Sequence, residues 1–177
     1  MKNWLKIVGI ILLIIIVIFT IYKLSTQKEK YFSKFTFEKY HQVYNTTGVV
    51  YLDTIVQAGL QSLNIDTVFI MIKPLINADG LLPDGYTTKA YIKGSEHQYI
   101  IFIDNMSRDE YITVLSHELI HLKQYYNKDL IVNDKDVIWK GDKIDLTLYT
   151  YENRPWERDA FDNENKIYFE MKSLLYK

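Results

Sequence analysis

The sequence predicts an α+β protein with a small mixed or antiparallel sheet, two long helices in its second half and one apolar helix at its N terminus. Three observations support this prediction. Residues 7–22 form an uncharged run of 16 residues, most of them Ile, Leu or Val. Short segments rich in β-branched and aromatic residues, such as Thr67–Ile72, are typical of strands. Apolar residues recur with a helical period over residues 108–127 and again after Pro155.

The N-terminal run predicts a transmembrane helix. At 1.5 Å per residue, residues 7–22 span about 24 Å, which is short for a hydrocarbon core of about 30 Å. Lys6 and Lys23 flank the run and can extend their ammonium groups to the interface, where Trp4 is also favoured. We therefore expect residues 1–24 to form a single-pass membrane anchor.

A cleaved signal peptide is the alternative interpretation of this run. The residues that follow it, Tyr22–Gln27, contain no small-residue cleavage site, and the chain has no cysteine for a lipid anchor. The orientation of the anchor stays open. More lysines follow the run than precede it, which favours a cytoplasmic domain, whereas a short basic N terminus before an apolar run is typical of exported proteins. We take an extracytoplasmic domain as the expectation.

The remaining chain is expected to form a linker and one domain. Residues 25–35 are polar and basic and predict a juxtamembrane linker, which leaves residues 36–177 for the domain. Three of the 21 basic residues and none of the 22 acidic residues lie in residues 1–24, so the rest carries a net charge of −4. Without a basic block, nucleic acid is not an expected partner. The absence of cysteine excludes disulfides and thiolate metal ligands.

The first half of the domain is expected to contain helices, turns and three short strands. The predicted elements are a helix over Phe35–Tyr44, a helix over Val49–Leu63 that starts at Thr46–Gly48, a strand over Thr67–Ile72, turns at Asn77–Gly80 and Pro83–Gly85, and strands over Tyr86–Ile92 and Tyr99–Ile103 joined through Gly94–His97.

The second half is expected to be mainly helical. Ser107 and Glu110 form a capping-box pattern ahead of a helix over Arg108–Asn127. A hairpin follows, with strands Asp136–Trp139 and Lys143–Thr150 around the turn Lys140–Asp142. The last helix begins at Pro155, because proline is best tolerated in the first helical turn.

The helix over Arg108–Asn127 contains the pattern H-E-x-x-H. His117 and His121 are four residues apart, so they lie about 40° apart around the axis and about 6 Å apart along it. Both imidazoles can therefore reach one metal ion. Glu118 lies beside them, where a carboxylate can take a proton from a water molecule. The pattern is typical of zinc hydrolases.

The alternative is an ordinary helix whose two histidines are solvated or satisfied in the core. Chance alone would give the pattern in well under about 1% of chains of this composition, which favours the metal interpretation. The helix also separates an apolar stripe from a neighbouring stripe that carries the histidines. The first stripe contains Ile112, Leu115, Leu119 and Leu122, and the second contains Val114, His117, His121 and Gln124. We interpret His41 and His97 as incidental to the site.

A catalytic zinc site needs a third protein ligand. Glu157 lies in line with apolar positions of the last helix, where an ionised carboxylate needs a partner such as a metal ion. Glu164 lies on the same stripe, so the periodicity does not choose between the two. An ion pair of Glu157 with Arg154 or Arg158 is a further alternative.

Two further motifs carry a resemblance. After His117–His121 the chain contains Trp139–Gly141, with the sequence Trp-Lys-Gly, and Tyr151–Ala160, which includes Arg-Pro-Trp-Glu. This combination resembles small zincin-fold metallopeptidases of bacteria and phages. The resemblance covers roughly residues 65–165.

The resemblance implies a zincin-like fold of the gluzincin type. In this arrangement His117, His121 and Glu157 bind Zn²⁺, and Glu118 is the general base in the hydrolysis of a peptide or protein substrate. One position departs from thermolysin-like gluzincins, in which the residue four positions after the ligand glutamate is acidic and orients a histidine. Here that position is Phe161, so the partners of the ligand histidines are left unassigned.

The substrate side of the site is expected to use two further groups. Tyr149 or Tyr151 could donate a hydrogen bond to the developing oxyanion, although the 15 tyrosines of the chain favour a structural role for both. The strand with Tyr99, Ile101 and Ile103 is expected to edge the cleft and to pair with an extended peptide. The competing hypothesis is a non-catalytic, membrane-anchored binding or structural protein with a stabilising zinc site. Glu118 argues against that hypothesis, because a purely structural zinc site needs no base.

Overall fold

The computed structural model describes residues 42–75, 88–133 and 135–176, which belong to one compact unit, residues 39–177. Among these residues, none of the helices combines the length and apolar character that a membrane crossing requires. The predicted anchor and linker, His41 and both predicted turns at 77–85 lie outside the described residues.

Three helices and seven short strands follow one another along the described chain and confirm the predicted α+β class. They are β1 (Gln42–Asn45), α1 (Leu52–Ser62), β2 (Phe69–Pro74), β3 (Ala90–Ser95), β4 (Gln98–Ile103), α2 (Arg108–Tyr126), β5 (Leu130–Val132), β6 (Val137–Trp139), β7 (Asp142–Ile144) and α3 (Pro155–Leu175), with 3₁₀ turns at Leu146–Leu148 and Tyr151–Asn153 before α3.

Four strands form a mixed sheet in the order β1-β2-β4-β3. The first three are parallel, and β3 runs antiparallel to β4. The prediction that Tyr99–Ile103 forms an edge strand is therefore wrong, because β4 is paired on both sides. β4 lies between β2 and β3, and the unpaired edge on this side of the sheet belongs to β3 instead.

The core lies between one face of this sheet and the three helices. Ile70, Tyr99 and Ile101 point from the sheet into the core and are almost fully buried. Gly59 allows α1 to approach the other helices closely. A Cβ atom there would collide with Leu119 of α2 and lie 3.3 Å from the sulfur of Met171 in α3. The apolar stripe of α2 is thus buried where the three helices meet.

Three element predictions are wrong in part. Strand β3 continues to Ser95, so Gly94 and Ser95 belong to the strand and not to the predicted connection. The predicted helix over Phe35–Tyr44 does not extend through its last residues, because Gln42–Asn45 is β1, paired with residues 69–72 of β2. Parallel pairing is a tertiary contact that overrides local helical periodicity. The second hairpin strand stops at Ile144 instead of Thr150, because the Asp145 carboxylate accepts the N–H of Thr147 and starts a 3₁₀ turn.

The turn of the hairpin and the starts of α2 and α3 agree with prediction. β6 and β7 pair through a two-residue turn in which Lys140 (φ 49°) and Gly141 (φ 94°) are both left-handed, as a type I′ turn requires. Ser107 and Glu110 form the predicted capping box of α2, and Pro155 opens α3. Strand β5, which precedes the hairpin and pairs with β6, was not predicted.

Candidate metal centre

Three side chains converge where the middle of α2 packs against the first turn of α3. The Nε2 atoms of His117 and His121 lie 3.1 Å apart. One carboxylate oxygen of Glu157 lies 3.4 Å from the first and 3.2 Å from the second. His121 and Glu157 are buried, and His117 is half-buried. These three residues could hold a metal ion.

The spacing of these atoms fits a tetrahedral metal site. Zinc binds nitrogen and oxygen at about 2.0–2.1 Å, so two ligands of a tetrahedral ion lie about 3.3 Å apart. The three separations in this site are close to that value. The set of two imidazoles and one carboxylate is also a common set for catalytic zinc.

The outer ring nitrogens of both histidines hydrogen-bond to oxygen atoms. Nδ1 of His117 lies 2.8 Å from a carboxylate oxygen of Glu164, and Nδ1 of His121 lies 2.9 Å from Oε1 of Gln124. Because these oxygens can only accept, Nδ1 must carry the hydrogen in both rings. In the neutral imidazoles, each Nε2 then presents its lone pair towards Glu157. The structure thus separates the two candidate glutamates, because Glu157 faces the inner nitrogens and Glu164 an outer one.

This arrangement brings together three acceptor atoms that need a cation. Burial lowers the pKa of His121, but its hydrogen bond to Glu157 and the charges of Glu157 and Glu118 outweigh burial and raise the pKa to about 9. Burial raises the pKa of Glu157, but hydrogen bonds from His117 and His121 prevail and lower it to about 2. A proton on an imidazole can satisfy the cluster, and a divalent metal ion can replace that proton.

Glu118 is buried beside the cluster. Burial raises the pKa of its carboxyl group to about 7, against the charges of His121 and His117, which lower it. The backbone N–H of Ile92 in β3 also donates a hydrogen bond to this carboxylate. A carboxyl group with a pKa near neutrality can both accept and release a proton.

The predicted oxyanion donors differ in position. Burial, followed by the charges of Glu157 and Glu118, raises the pKa of the Tyr151 phenol, which also hydrogen-bonds to Glu157. Tyr151 therefore lies at the candidate ligand carboxylate. Tyr149 lies at the end of the preceding 3₁₀ turn, with 37% of its surface exposed.

The predicted substrate strand does not offer a free backbone edge. Tyr99, Ile101 and Ile103 are buried in β4, whose backbone is paired with β2 and β3. Strand β3 lies beside α2 instead and reaches Glu118 through Ile92. His97 lies in the β3–β4 turn, edge-on to the ring of Tyr126 at 5.0 Å.

Gln124 and Glu164 were not predicted as the hydrogen-bond partners of the two histidines. Gln124 follows His121 by three residues on the same stripe of α2, and this spacing was the available indication of its role. Glu164 follows Glu157 by seven residues, two helical turns along the same face. The ring of Phe161, at the intervening turn, lies 4.7 Å from the ring of His117. Phe161 thus packs against the imidazole that Glu164 binds.

Glu118 and the three converging side chains are therefore positioned by α2, the first turn of α3 and the edge strand β3. No protein-family model, no curated protein and no solved structure matches the chain.

Proposed function

We propose that this protein is a membrane-anchored zinc metallopeptidase with a zincin-like fold. The observation that carries the proposal is the meeting of three acceptor atoms, from His117, His121 and Glu157, beside the buried carboxyl group of Glu118. Three protein ligands leave a tetrahedral ion one open position, which is typical of catalytic sites. Zinc bound there would polarise a carbonyl group and lower the pKa of a water molecule.

Glu118 is the general base in this proposal. It accepts the proton of the attacking water and passes that proton to the leaving amine. The N–H of Ile92 holds the carboxylate in place, and a zinc ion beside it would favour its ionised form, which can accept a proton. Tyr151 orients Glu157 through its hydrogen bond. Because a phenol has one hydrogen, Tyr151 would have to release Glu157 before it could donate to an oxyanion.

The outer edge of β3 is the proposed binding site for an extended peptide. The N–H of Asp104 donates to the carbonyl of Lys89 across the β3–β4 ladder, so this pair is hydrogen-bonded. In an antiparallel ladder the pairs alternate, so Ala90, Ile92 and Gly94 point their backbone groups away from β4. No other described strand pairs with that edge. The hydroxyl of Thr88 already bonds both outward groups of Ala90, and the N–H of Ile92 bonds Glu118. A peptide would therefore pair with the carbonyl of Ile92 and with Gly94, next to Glu118.

The proposal is tested first by metal content. Full-length protein purified in detergent after expression with zinc should contain about one zinc per chain. The double variant His117→Ala/His121→Ala should lose it. His97→Ala is the matched control and should retain it, because that ring lies in the β3–β4 turn. Wild-type protein without zinc would contradict the proposal.

Catalysis is tested with Glu118→Gln, which keeps the size of the side chain and an acceptor for the N–H of Ile92. Cleavage of a peptide library should fall by at least about a hundredfold, since the base is lost. Zinc content should not change. Glu170→Gln on α3 is the control and should cleave like wild type. Unchanged cleavage by Glu118→Gln would show that Glu118 is not the base, and zinc without cleavage in wild type would favour a structural zinc site.

A further inference from the structure

Gln124 is buried next to His121, and both the oxygen and the nitrogen of its side-chain amide form hydrogen bonds. Its carbonyl oxygen Oε1 lies 2.9 Å from Nδ1 of His121. Its Nε2 donates to the backbone carbonyl of Trp156 at 3.0 Å and to the carboxylate of Asp159 at 2.8 Å. The side chain thus links the second histidine of α2 to the first turn of α3.

The two partners of Nε2 determine which way the amide points. A backbone carbonyl and a carboxylate can only accept hydrogen bonds, so both need the NH₂ group. If the amide were reversed, Oε1 of Gln124 would face the oxygens of Trp156 and Asp159, and both hydrogen bonds would be lost. A buried polar atom without a partner is strongly unfavourable, so Oε1 must face His121.

Asp159 is itself held by the β6–β7 hairpin. Nζ of Lys140 lies 3.9 Å from the Asp159 carboxylate and 4.7 Å from the centre of the Trp139 ring. The backbone N–H of Lys140 donates to the carbonyl of Asp129, just after α2, at 2.6 Å. The turn of the hairpin is thus attached to the end of α2 on one side and to α3 on the other.

We propose that Gln124 is a positioning residue that keeps the hydrogen of His121 on Nδ1, and that Asp159, supported by Lys140, keeps the Gln124 amide in the required direction. When the ring is neutral, Nε2 of His121 then carries the lone pair that a metal ion would bind. The inference rests on the proposed metal site, but it concerns the protein without metal. It also gives the Trp-Lys-Gly hairpin a role at the site, although Lys140 contacts none of the three candidate ligands directly.

His117 provides an internal comparison. Its Nδ1 is held by the carboxylate of Glu164, which lies on another part of α3 and does not depend on Gln124. A change at Gln124 or Asp159 should therefore alter the tautomer of His121 and leave that of His117 unchanged. General loosening of the fold would alter both.

The test uses Gln124→Met, which has a similar length and no hydrogen-bonding amide. Nitrogen NMR of the imidazoles in the metal-free, full-length protein shows which ring nitrogen carries the hydrogen. The measurement is made at a pH at which the nitrogen chemical shifts show that both imidazoles are neutral. We expect Nδ1–H in wild type, a mixture or Nε2–H at His121 in the variant, and no change at His117. Zinc affinity, measured by competition with a chelator, should fall by about 10- to 100-fold.

Asp159→Ala is the second variant. It tests the role of Gln124 by itself if Gln124→Met does not fold. We expect the same direction of change with a smaller loss of zinc affinity, about tenfold or less, because Gln124 keeps its bond to Trp156. Asp162→Ala, an exposed change on the same helix, should behave like wild type.

The inference is overturned if His121 keeps only the Nδ1–H form in the folded variants, or if His117 changes to the same extent. Absence of zinc binding in wild type would refute the proposed function instead. The tautomer comparison in the metal-free protein would still decide the role of Gln124.

Discussion

At the scale of single residues, the hydrogen-bond donors and acceptors around the two histidines determine which ring nitrogens can face a metal ion. Glu164 and Gln124 present only oxygen to the outer nitrogens of the two histidines, so the inner nitrogens face Glu157 as acceptors. A helical stripe of polar residues would not show this, because it fixes the direction of each side chain but not its partner. The chemistry therefore depends on residues that two helices bring together.

The buried carboxyl group of Glu118 predicts how the metal-free protein responds to pH. Its pKa is raised from 4.5 to about 7, chiefly by burial, so the folded state holds this proton more tightly than the unfolded state. The associated stability is present below pH 4.5 and is lost as the pH rises through about 7. Glu118→Gln removes this loss, so at pH 8 it should stabilise the metal-free protein by on the order of 1–3 kcal/mol.

Thermal unfolding followed by circular dichroism at pH 5 and pH 8, with chelator present, measures the effect. The gain from Glu118→Gln should be smaller at pH 5. Glu170→Gln is the control for replacing a carboxylate on a helix. An equal gain at both pH values would mean that the charge of Glu118 is not the cause.

At the scale of elements, α2 carries two of the candidate ligands, and its N-terminal end is capped by side chains. The hydroxyl of Ser107 accepts the N–H of Glu110, and the Glu110 carboxylate accepts the N–H of Ser107. The edge strand β3 lies along this helix and reaches Glu118 through the N–H of Ile92. This bond connects the proposed peptide edge to the proposed base.

The cap of α2 gives a prediction that separates stability from metal binding. Ser107→Ala removes one capping hydrogen bond and should destabilise the protein by about 1 kcal/mol. Zinc affinity should not change, because His117 lies almost three turns along the helix. Urea unfolding and chelator competition measure the two quantities, with Ser173→Ala in the exposed last turn of α3 as control. A parallel fall in zinc affinity would show that the helix start and the site are coupled.

At the scale of the whole molecule, the site joins segments that are distant in the chain. α2 supplies two candidate ligands and the proposed base, and α3 supplies the third candidate ligand and the partner of His117. The β6–β7 hairpin holds Asp159, and the sheet supplies the edge strand. Since the cluster needs a cation, its occupation should affect the stability of the whole domain.

Metal binding should raise the unfolding temperature of the domain. At a zinc concentration about a thousand times the dissociation constant, the stabilisation is about 4 kcal/mol. For a domain of this size that corresponds to about 10 °C. Unfolding temperatures of full-length protein in detergent, with zinc and with chelator, measure the effect. His121→Ala should show little difference between the two conditions, and an equal rise in this variant would place the zinc elsewhere.

The sequence by itself determined the α+β class, most helices and strands and the helix that carries His117, Glu118 and His121. These features are local, since helical period, capping residues and turn residues act within a few positions. Periodicity reduced the third candidate ligand to Glu157 or Glu164, which lie on one stripe of α3, and the resemblance favoured Glu157. The sequence predicted that a hairpin would turn at Lys140–Gly141 for the same kind of local reason.

Only the tertiary structure decided the features that depend on neighbours from elsewhere in the chain. β4 is interior and β3 is the edge because strand order is set by pairing, which the composition of one strand does not reveal. Glu157 faces the inner nitrogens and Glu164 an outer one because of how α3 packs on α2. Gln124 has its role because its amide meets Trp156 and Asp159, which follow it by more than 30 residues. Each of these contacts forms only when the helices, hairpin and sheet come together.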